Sequence, residues 1–441
     1  MLVSSLFAAS SLLHEGQRAL TTERVVNMFP EIVPARQQVT LRSVPGLVDQ
    51  YQAGPGQVRA MVATSTALYT VAGGEFASWD GTTRTLIGIV ADGPTTMAVN
   101  TSGEVAIAAD GTYYLWDGTT FSQPTGGAFS RVGSVDFIDG FFVRSAEDGS
   151  AFDITGINDG DALDALDFAS AEYKPDKLIR TIVNGGLVWN FGERTVEPWQ
   201  NIGDADFPFS RLSSSVLEKG LRSSGEVARL DNTVFWVSQE PRVYRITDFA
   251  PQKVSTTSVD VSLGTEALCF AYQYQGHDFL VIRLPDKPAR VFDVQTQSWH
   301  ERATGVDLGA WEVTTATPFK GVWYAGTDDG YVSLFSGYQD RGEEMRREVI
   351  SKNISNGGNR FRVFEIDARV EAGTGGNVML SHSSDGGRTF SPERQRSVGS
   401  VGEYDRRVKL HSQGQHREFA LKMACTDNVD FAIYDAGVRL G

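Results

Sequence analysis

The stretch Trp79-Asp80-Gly81-Thr82-Thr83 occurs again as Trp116-Asp117-Gly118-Thr119-Thr120, 37 residues later. An apolar or aromatic run enters each copy: Glu75-Phe76-Ala77-Ser78 before the first and Tyr113-Tyr114-Leu115 before the second. Asp-Gly supplies the positive φ of a tight hairpin turn, and the flanking aromatic and Thr residues favour strands. A hairpin recurring at this spacing is the unit from which propeller blades are built. Trp79 and Trp116 are expected to pack between or beneath strands, with Asp80-Gly81 and Asp117-Gly118 at the turns.

Working outward, the repeat predicts units at about 57–92, 93–129, 130–168 and 177–212. Further units centre on Val227–Ile246, Ala267–Asp293 and Gly309–Gly337. Each combines short alternating or apolar strands with a polar turn, such as Asp139-Gly140, Asn184-Gly185-Gly186 or Gln275-Gly276. Six or seven such units close a ring that exposes few sheet edges. Short helices are expected between units at 161–173 and 213–221. Residues 1–56 read as an irregular lead-in that ends in the turns Val44-Pro45-Gly46-Leu47 and Gly54-Pro55-Gly56.

The texture changes after Gly337. Arg341–Glu348 is dense in charge and reads as a linker or a solvated strand pair. Five alternating runs follow, from Arg362 to Tyr434, as in half-buried antiparallel strands. The expected fold is therefore all-β: a propeller of six or seven blades over 57–337 and a small antiparallel β-sandwich or sheet over 338–441.

Composition narrows the function classes. The 441 residues include 46 Gly, with 10% aromatic and 22% charged residues, and carry a net charge of −15. That balance repels nucleic acid and acidic membrane surfaces, so sequence-specific DNA binding is not expected. No run is long enough for a membrane helix. Met1–Ser10 lacks a basic start and is broken by serines, so it reads as a packed segment rather than a signal peptide. Cys269 and Cys425, far apart, are expected to be buried free thiols.

Candidate chemistry is sparse. Asn158-Asp159-Gly160-Asp161, with Asp164 and Asp167, lacks the alternate-position spacing and distal Glu of a calcium loop and reads as a solvated turn. His14, His277, His300, His382, His411 and His416 show no zinc spacing and read as surface or sheet residues. Neither a nucleophile elbow nor a phosphate or dinucleotide loop occurs, and no cofactor, metal or catalytic residue is assigned. Ser383-Ser384-Asp385-Gly386-Gly387-Arg388-Thr389-Phe390 resembles the Asp-box of sialidases, with Phe390 in the Trp position. There the box is a structural turn away from the active site, and Ser383, Asp385, Gly387, Thr389 and Phe390 are expected to hold such a turn here.

Several stretches together resemble the packaged-DNA stabilisation, or tail hub, proteins of short-tailed bacteriophages. They are Arg24–Glu31 with Val44–Leu47, Leu166–Glu172, Glu193–Trp199, Asp231–Trp236, Arg242–Ile246 and Met379–Phe390, in family order across the chain. His382 and Phe390 depart from an expected Tyr and Trp, and both keep a ring. The resemblance implies a non-enzymatic virion component, made in the host cytoplasm. It implies a sixfold ring of this chain below the portal and its head-to-tail adaptor. That ring extends the channel for double-stranded DNA, helps retain the packaged genome, and carries tailspikes or fibres and a needle or plug. Two other classes remain open: a propeller adhesin that binds glycans, and a sialidase-like glycoside hydrolase.

Overall fold

The structure, a computed structural model, describes residues 2–3, 6–7, 10, 22–33, 38–404 and 406–441. His14 and most of the N-terminal segment lie outside them. Seven blades of four antiparallel strands follow one another around a ring; five are separate four-stranded sheets and two belong to larger sheets. Blade 1 is Val58–Ala63, Leu68–Ala72, Glu75–Trp79 and Arg84–Ile89; blade 2 runs from Thr95 to Ser122; blade 3 from Val132 to Ser170. Blade 4 spans Leu178–Arg211, blade 5 Val227–Lys253 and blade 6 Leu268–Arg302. The innermost strand of blade 7, Val313–Phe319, lies against that of blade 1, so the ring is closed. Apolar clusters fill the spaces between neighbouring blades; Val71, Phe76, Ile107 and Tyr114, for example, join blades 1 and 2.

Blade 7 takes only three of its strands from its own stretch, Val313–Phe319, Val322–Thr327 and Tyr331–Phe335. Its fourth is Leu47–Gln52, paired antiparallel with Leu47 opposite Phe335 and Tyr51 opposite Val332. The two ends of the propeller chain are thus hydrogen-bonded together, and opening the ring requires stripping a strand. Arg341 reinforces the seam. It reaches Asp49 at 2.8 Å, Asp329 at 2.8 Å and Glu312 at 3.1 Å, and its guanidinium lies 4.5 Å from the centre of the Tyr331 ring.

The sandwich also draws on the N-terminal part of the chain. One sheet is ordered Met28–Val33, Gln38–Ser43, Ala432–Leu440, Phe361–Val370 and Val408–His416. The facing strands are Arg24–Val26, Arg347–Ile350, Glu418–Cys425, Asn377–Ser383 and Arg394–Ser397. Between them lies a core that includes Val25, Met28, Leu41, Val349, Ile366, Phe419 and Val438. The second of these sheets is continuous with blade 6, because Val26 pairs in parallel with Glu301.

Four expectations are corrected. Where it is described, the lead-in is not irregular: alternation marks Val39–Ser43 as a strand, and Gln38–Ser43 and Leu47–Gln52 complete the sandwich and the propeller through partners about 280–390 residues away, which local pattern does not show. The segment expected to be helical at 161–173 is mostly strand, Asp159–Ser170, because blade 3 offers it an edge. At 213–221 only a single turn of 3-10 helix forms, Ser213–Ser215, while the one α-helix among the described residues, Thr257–Ser262, was not expected. The charged stretch is not a solvated linker in its last part: Arg347–Ile350 is a buried strand whose charges are matched by partners.

Candidate functional site

The propeller and the sandwich meet at a joint built from the first stretch of the resemblance, Arg24–Glu31 with Val44–Leu47. Asn27 is its pivot. It is fully buried and holds φ at 53°, a conformation Asn tolerates better than most residues. Its amide nitrogen donates to the Ala303 carbonyl of blade 6 at 2.9 Å and to the Arg346 carbonyl of the sandwich at 2.8 Å. Its side-chain oxygen accepts from the Ala303 N–H at 3.0 Å. One short side chain therefore ties the two bodies with three hydrogen bonds.

Around Asn27 lies a network of charges. Glu301, almost fully buried, pairs with Arg24 at 2.8 Å and Arg290 at 2.9 Å. Glu348 pairs with Arg346 at 2.9 Å, and Arg346 also reaches Glu393. Lys422 stands 3.6 Å from Glu393. Blade 6 supplies Arg290 and Glu301, and the sandwich supplies the rest through the strand shared with Arg24. Such a network keeps its charges only while each has a partner; losing one strands another in a low dielectric.

Arg302 and Arg347 extend the joint. Arg302 is fully buried, donates twice to the Pro45 carbonyl at 3.0 Å, and lies 4.5 Å from the centre of the Trp311 ring. Arg347 donates to the Val429 carbonyl at 2.7 Å and to that of Asp427. Between them Asp340 is almost fully buried, and burial pushes its carboxyl up to about 6. His300 nearby has no exposure, and burial pushes its imidazole down to about 3, so it is neutral in the fold. Gly46 admits no side chain, since a Cβ there would overlap the Gln339 carbonyl.

The residues singled out from sequence fall elsewhere. Asp80 accepts the N–H groups of Thr82 at 2.7 Å and Thr83 at 2.8 Å, and Asp117 treats Thr119 and Thr120 alike at 2.7 and 2.6 Å. Gly81 and Gly118 hold φ at 107° and 96°. Both turns join the third strand of a blade to the fourth. The tryptophans differ: Trp79 stacks on Tyr51 of the closing strand with ring centres 4.7 Å apart, whereas Trp116 is half-buried against the contact of blades 1 and 2. A local repeat could not reveal that difference.

At the Asp-box-like turn, Asp385 accepts from the N–H groups of Arg388 at 2.9 Å and Thr389 at 3.0 Å and from the Thr389 hydroxyl at 2.6 Å. The same carboxylate accepts the Ser383 hydroxyl at 2.7 Å, and the Gly387 N–H donates to that hydroxyl at 2.8 Å. These bonds hold the Asp385 carboxyl well below the usual range. Phe390 lies under Lys422, whose ammonium is 4.7 Å from the ring centre.

Asp159 is engaged in its own turn, accepting the N–H groups of Asp161 and Ala162 at 3.2 Å. Among the described residues no three His, Cys, Asp or Glu side chains gather as metal ligands. Cys425 is buried and Cys269 is half-buried, facing the central cavity of the propeller; burial pushes both thiols up. That cavity, of about 770 Å³, is lined by innermost strands and by Arg59, Arg180 and Arg229. Arg59 is taken up by backbone carbonyls, and Arg229 pairs with Asp136 at 3.1 Å. No helix among the described residues is long and apolar enough to cross a membrane.

The family comparison agrees with this architecture. Residues 14–336 match the family model described as bacteriophage P22 Gp10, beta-propeller, and residues 346–441 match that described as bacteriophage P22 Gp10, beta-sandwich. No curated protein matches the sequence. The computationally designed protein Ika8 is 17% identical over 66% of this chain and 99% of its own, with a TM-score of 0.42. PorZ, a surface component of the type-IX secretion system of Porphyromonas gingivalis, is 11% identical over 79% of this chain and 46% of its own, also at 0.42. Neither likeness is close enough to carry an argument. The two family matches, in order and over most of the chain, bear out the resemblance read from the motifs: the chain belongs to the bacteriophage P22 Gp10 family and is a structural protein of the phage tail.

Proposed function

We propose that this chain is the tail hub: copies form a sixfold ring below the portal and head-to-tail adaptor, prolong the DNA channel and help retain the packaged genome. Its outer surface carries tailspikes or fibres, and its lower opening takes a needle or plug. The observation that carries this reading is the joint. A closed propeller and a sandwich locked by Asn27 and the charges around Glu301 form one rigid subunit with unlike faces, as a head-to-tail ring requires. We further propose the division 1–56, 57–337 and 338–441 as lead-in, propeller and C-terminal β domain, with the lead-in lacing the other two together.

Duplex DNA does not fit a propeller cavity of about 770 Å³, so its path runs between subunits. The chain's net charge of −15 suits a lumen past which phosphates slide without sticking. The role is structural, without catalysis or cofactor.

Electron microscopy of the purified protein mixed with portal–adaptor assemblies tests the reading. A sixfold ring of this chain on the adaptor is expected. Absence of any added density, with binding to isolated glycans instead, would replace it by the adhesin reading; turnover of a sialoside would replace it by the hydrolase reading.

A further inference from the structure

Charge is divided unevenly between the two bodies. Residues 346–441 hold 15 Lys and Arg against 12 Asp and Glu, so the preceding 345 residues carry a net charge of −18. Two edges concentrate this division. The outer strand of blade 3, Asp159–Ser170, has 12 residues, against two to six for the outer strands of the other blades. Its register jumps between Thr155 opposite Leu163 and Asp153 opposite Phe168, so Asp164-Ala165-Leu166-Asp167 stands out from the sheet as a knob. The Asp164 carboxylate caps the Leu166 N–H at 2.9 Å and fixes the knob's shape.

Leu166 is 80% exposed and Phe168 45%. Asp161 and Asp164 are exposed, Asp167 is half-exposed, and no Lys or Arg nitrogen comes within 4 Å of the three carboxylates among the described residues. Burial and the neighbouring Asp164 push the Asp167 carboxyl up, as expected of acids that lack a cation.

The complementary edge is the sandwich hairpin 377–397. Its outer strand, Arg394–Ser397, is exposed at all four positions. Arg388, Arg394 and Arg396 have no carboxylate within 4 Å among the described residues; Arg394 donates to Gln413 and Arg396 to a backbone carbonyl. Close by in the chain, Val401 and Tyr404 are 82% and 78% exposed. The hairpin thus offers cations and apolar surface where the knob offers acids and apolar surface.

Their placement gives this match a direction. The sandwich is attached at blades 6 and 7, through Val26 and through the linker strand Gln339–Asp340 beside Leu47. In a ring of seven, blade 3 lies three steps from each of them, at the opposite pole. The knob therefore lies across the ring from the blades to which its own sandwich is joined.

We infer that the blade 3 knob docks on the basic hairpin 377–397 of a second copy of this chain. The contact is heterologous: each copy gives one edge and receives the other, which closes to a ring when the rotation per copy permits. This deepens the tail-hub reading and rests on it, by naming the two faces through which neighbouring subunits meet.

Two charge-reversal variants test it. One is Asp161→Lys/Asp164→Lys/Asp167→Lys, and the other is Arg388→Glu/Arg394→Glu/Arg396→Glu. All six side chains lie at or near the surface, and unchanged melting verifies that each variant folds. Sedimentation velocity of the concentrated protein at low ionic strength is the readout. The wild-type chain is expected to self-associate, and salt is expected to disperse it. Each variant alone is expected to lose association by on the order of 100-fold, because like charges then face each other. An equimolar mixture of the two variants is expected to regain it, since basic knobs meet acidic hairpins and the remaining pairs are wild-type. Variants that associate normally, a mixture that stays dispersed, or a wild-type chain that never self-associates would each overturn the inference. Sixfold rings on the adaptor formed equally by wild-type and variants would overturn this interface and leave the hub reading intact; loss of the wild-type ring would remove the hub reading itself.

Discussion

At the scale of single residues, the repeated turn illustrates how identical local sequence acquires unequal weight. Asp80 and Asp117 make the same bonds to their turns, but only Trp79 stands in the seam between blades 7 and 1. It is 5% exposed, stacks on Tyr51 and meets Tyr324 edge-on with ring centres 5.6 Å apart. Trp79→Ala is expected to cost about 3–5 kcal/mol in urea unfolding, and Trp116→Ala distinctly less. Equal losses would mean that the seam is not a special point of the ring. Asn27 invites a finer dissection. Asn27→Gly keeps the positive φ and deletes the bridging amide, whereas Asn27→Ala also adds backbone strain. Both should be destabilising, the Ala variant by about 1 kcal/mol more.

The elements bring titration into the stability of the fold. Glu312, beside the seam, is pushed up to about 7 by burial, against which its hydrogen bond to Arg341 works. The unfolded chain ionises this carboxyl more readily than the folded one. Its contribution to stability is therefore full below pH 4.5 and is lost as pH rises to 7. Glu312→Gln should flatten the stability profile across that window, by on the order of 2 kcal/mol. Arg341→Ala, which removes the opposing cation, should carry the window to higher pH and loosen the closing strand. Buried His300 has the opposite sign. Its contribution is present above pH 6.5 and is lost as pH falls toward 3, so His300→Leu should lessen acid unfolding in that range. Denaturant titrations at a series of pH values check all three.

These particular elements also show how much could be read without the tertiary structure. The blade strands were legible because each alternates locally and turns at Gly, Asn or Asp, which needs no distant partner. The closing strand Leu47–Gln52 was not, because its partner Tyr331–Phe335 lies near the other end of the propeller chain. The stretch 161–173, expected to be helical, is mostly the strand Asp159–Ser170, because it pairs through register shifts with an edge that only blade 3 supplies.

For the whole molecule, the joint determines whether two bodies unfold as one. With Asn27, Glu301 and Arg302 in place, calorimetry is expected to show a single transition. Glu301→Gln leaves Arg24 and Arg290 without their shared carboxylate, and should split the transition into separate propeller and sandwich melts. A single transition of unchanged width in that variant would show that the paired strands couple the bodies without the charges.

By itself the sequence determined what local chemistry can determine: an all-β chain, hairpin units repeated around a ring, a second β body after Gly337, and a family resemblance carried by short motifs. Periodicity of two and turn-forming residues act over a few positions, so they are written where they operate. The tertiary structure decided that the blades number seven and that the strands between Arg24 and Gln52 lace both bodies. It also decided that Arg24–Glu31 is a joint and that the long outer strand of blade 3 lies across the ring from the blades that join the sandwich. Each of these depends on partners hundreds of residues apart, and a buried charge or a positive-φ Asn acquires its meaning only when the chain brings its counterpart beside it.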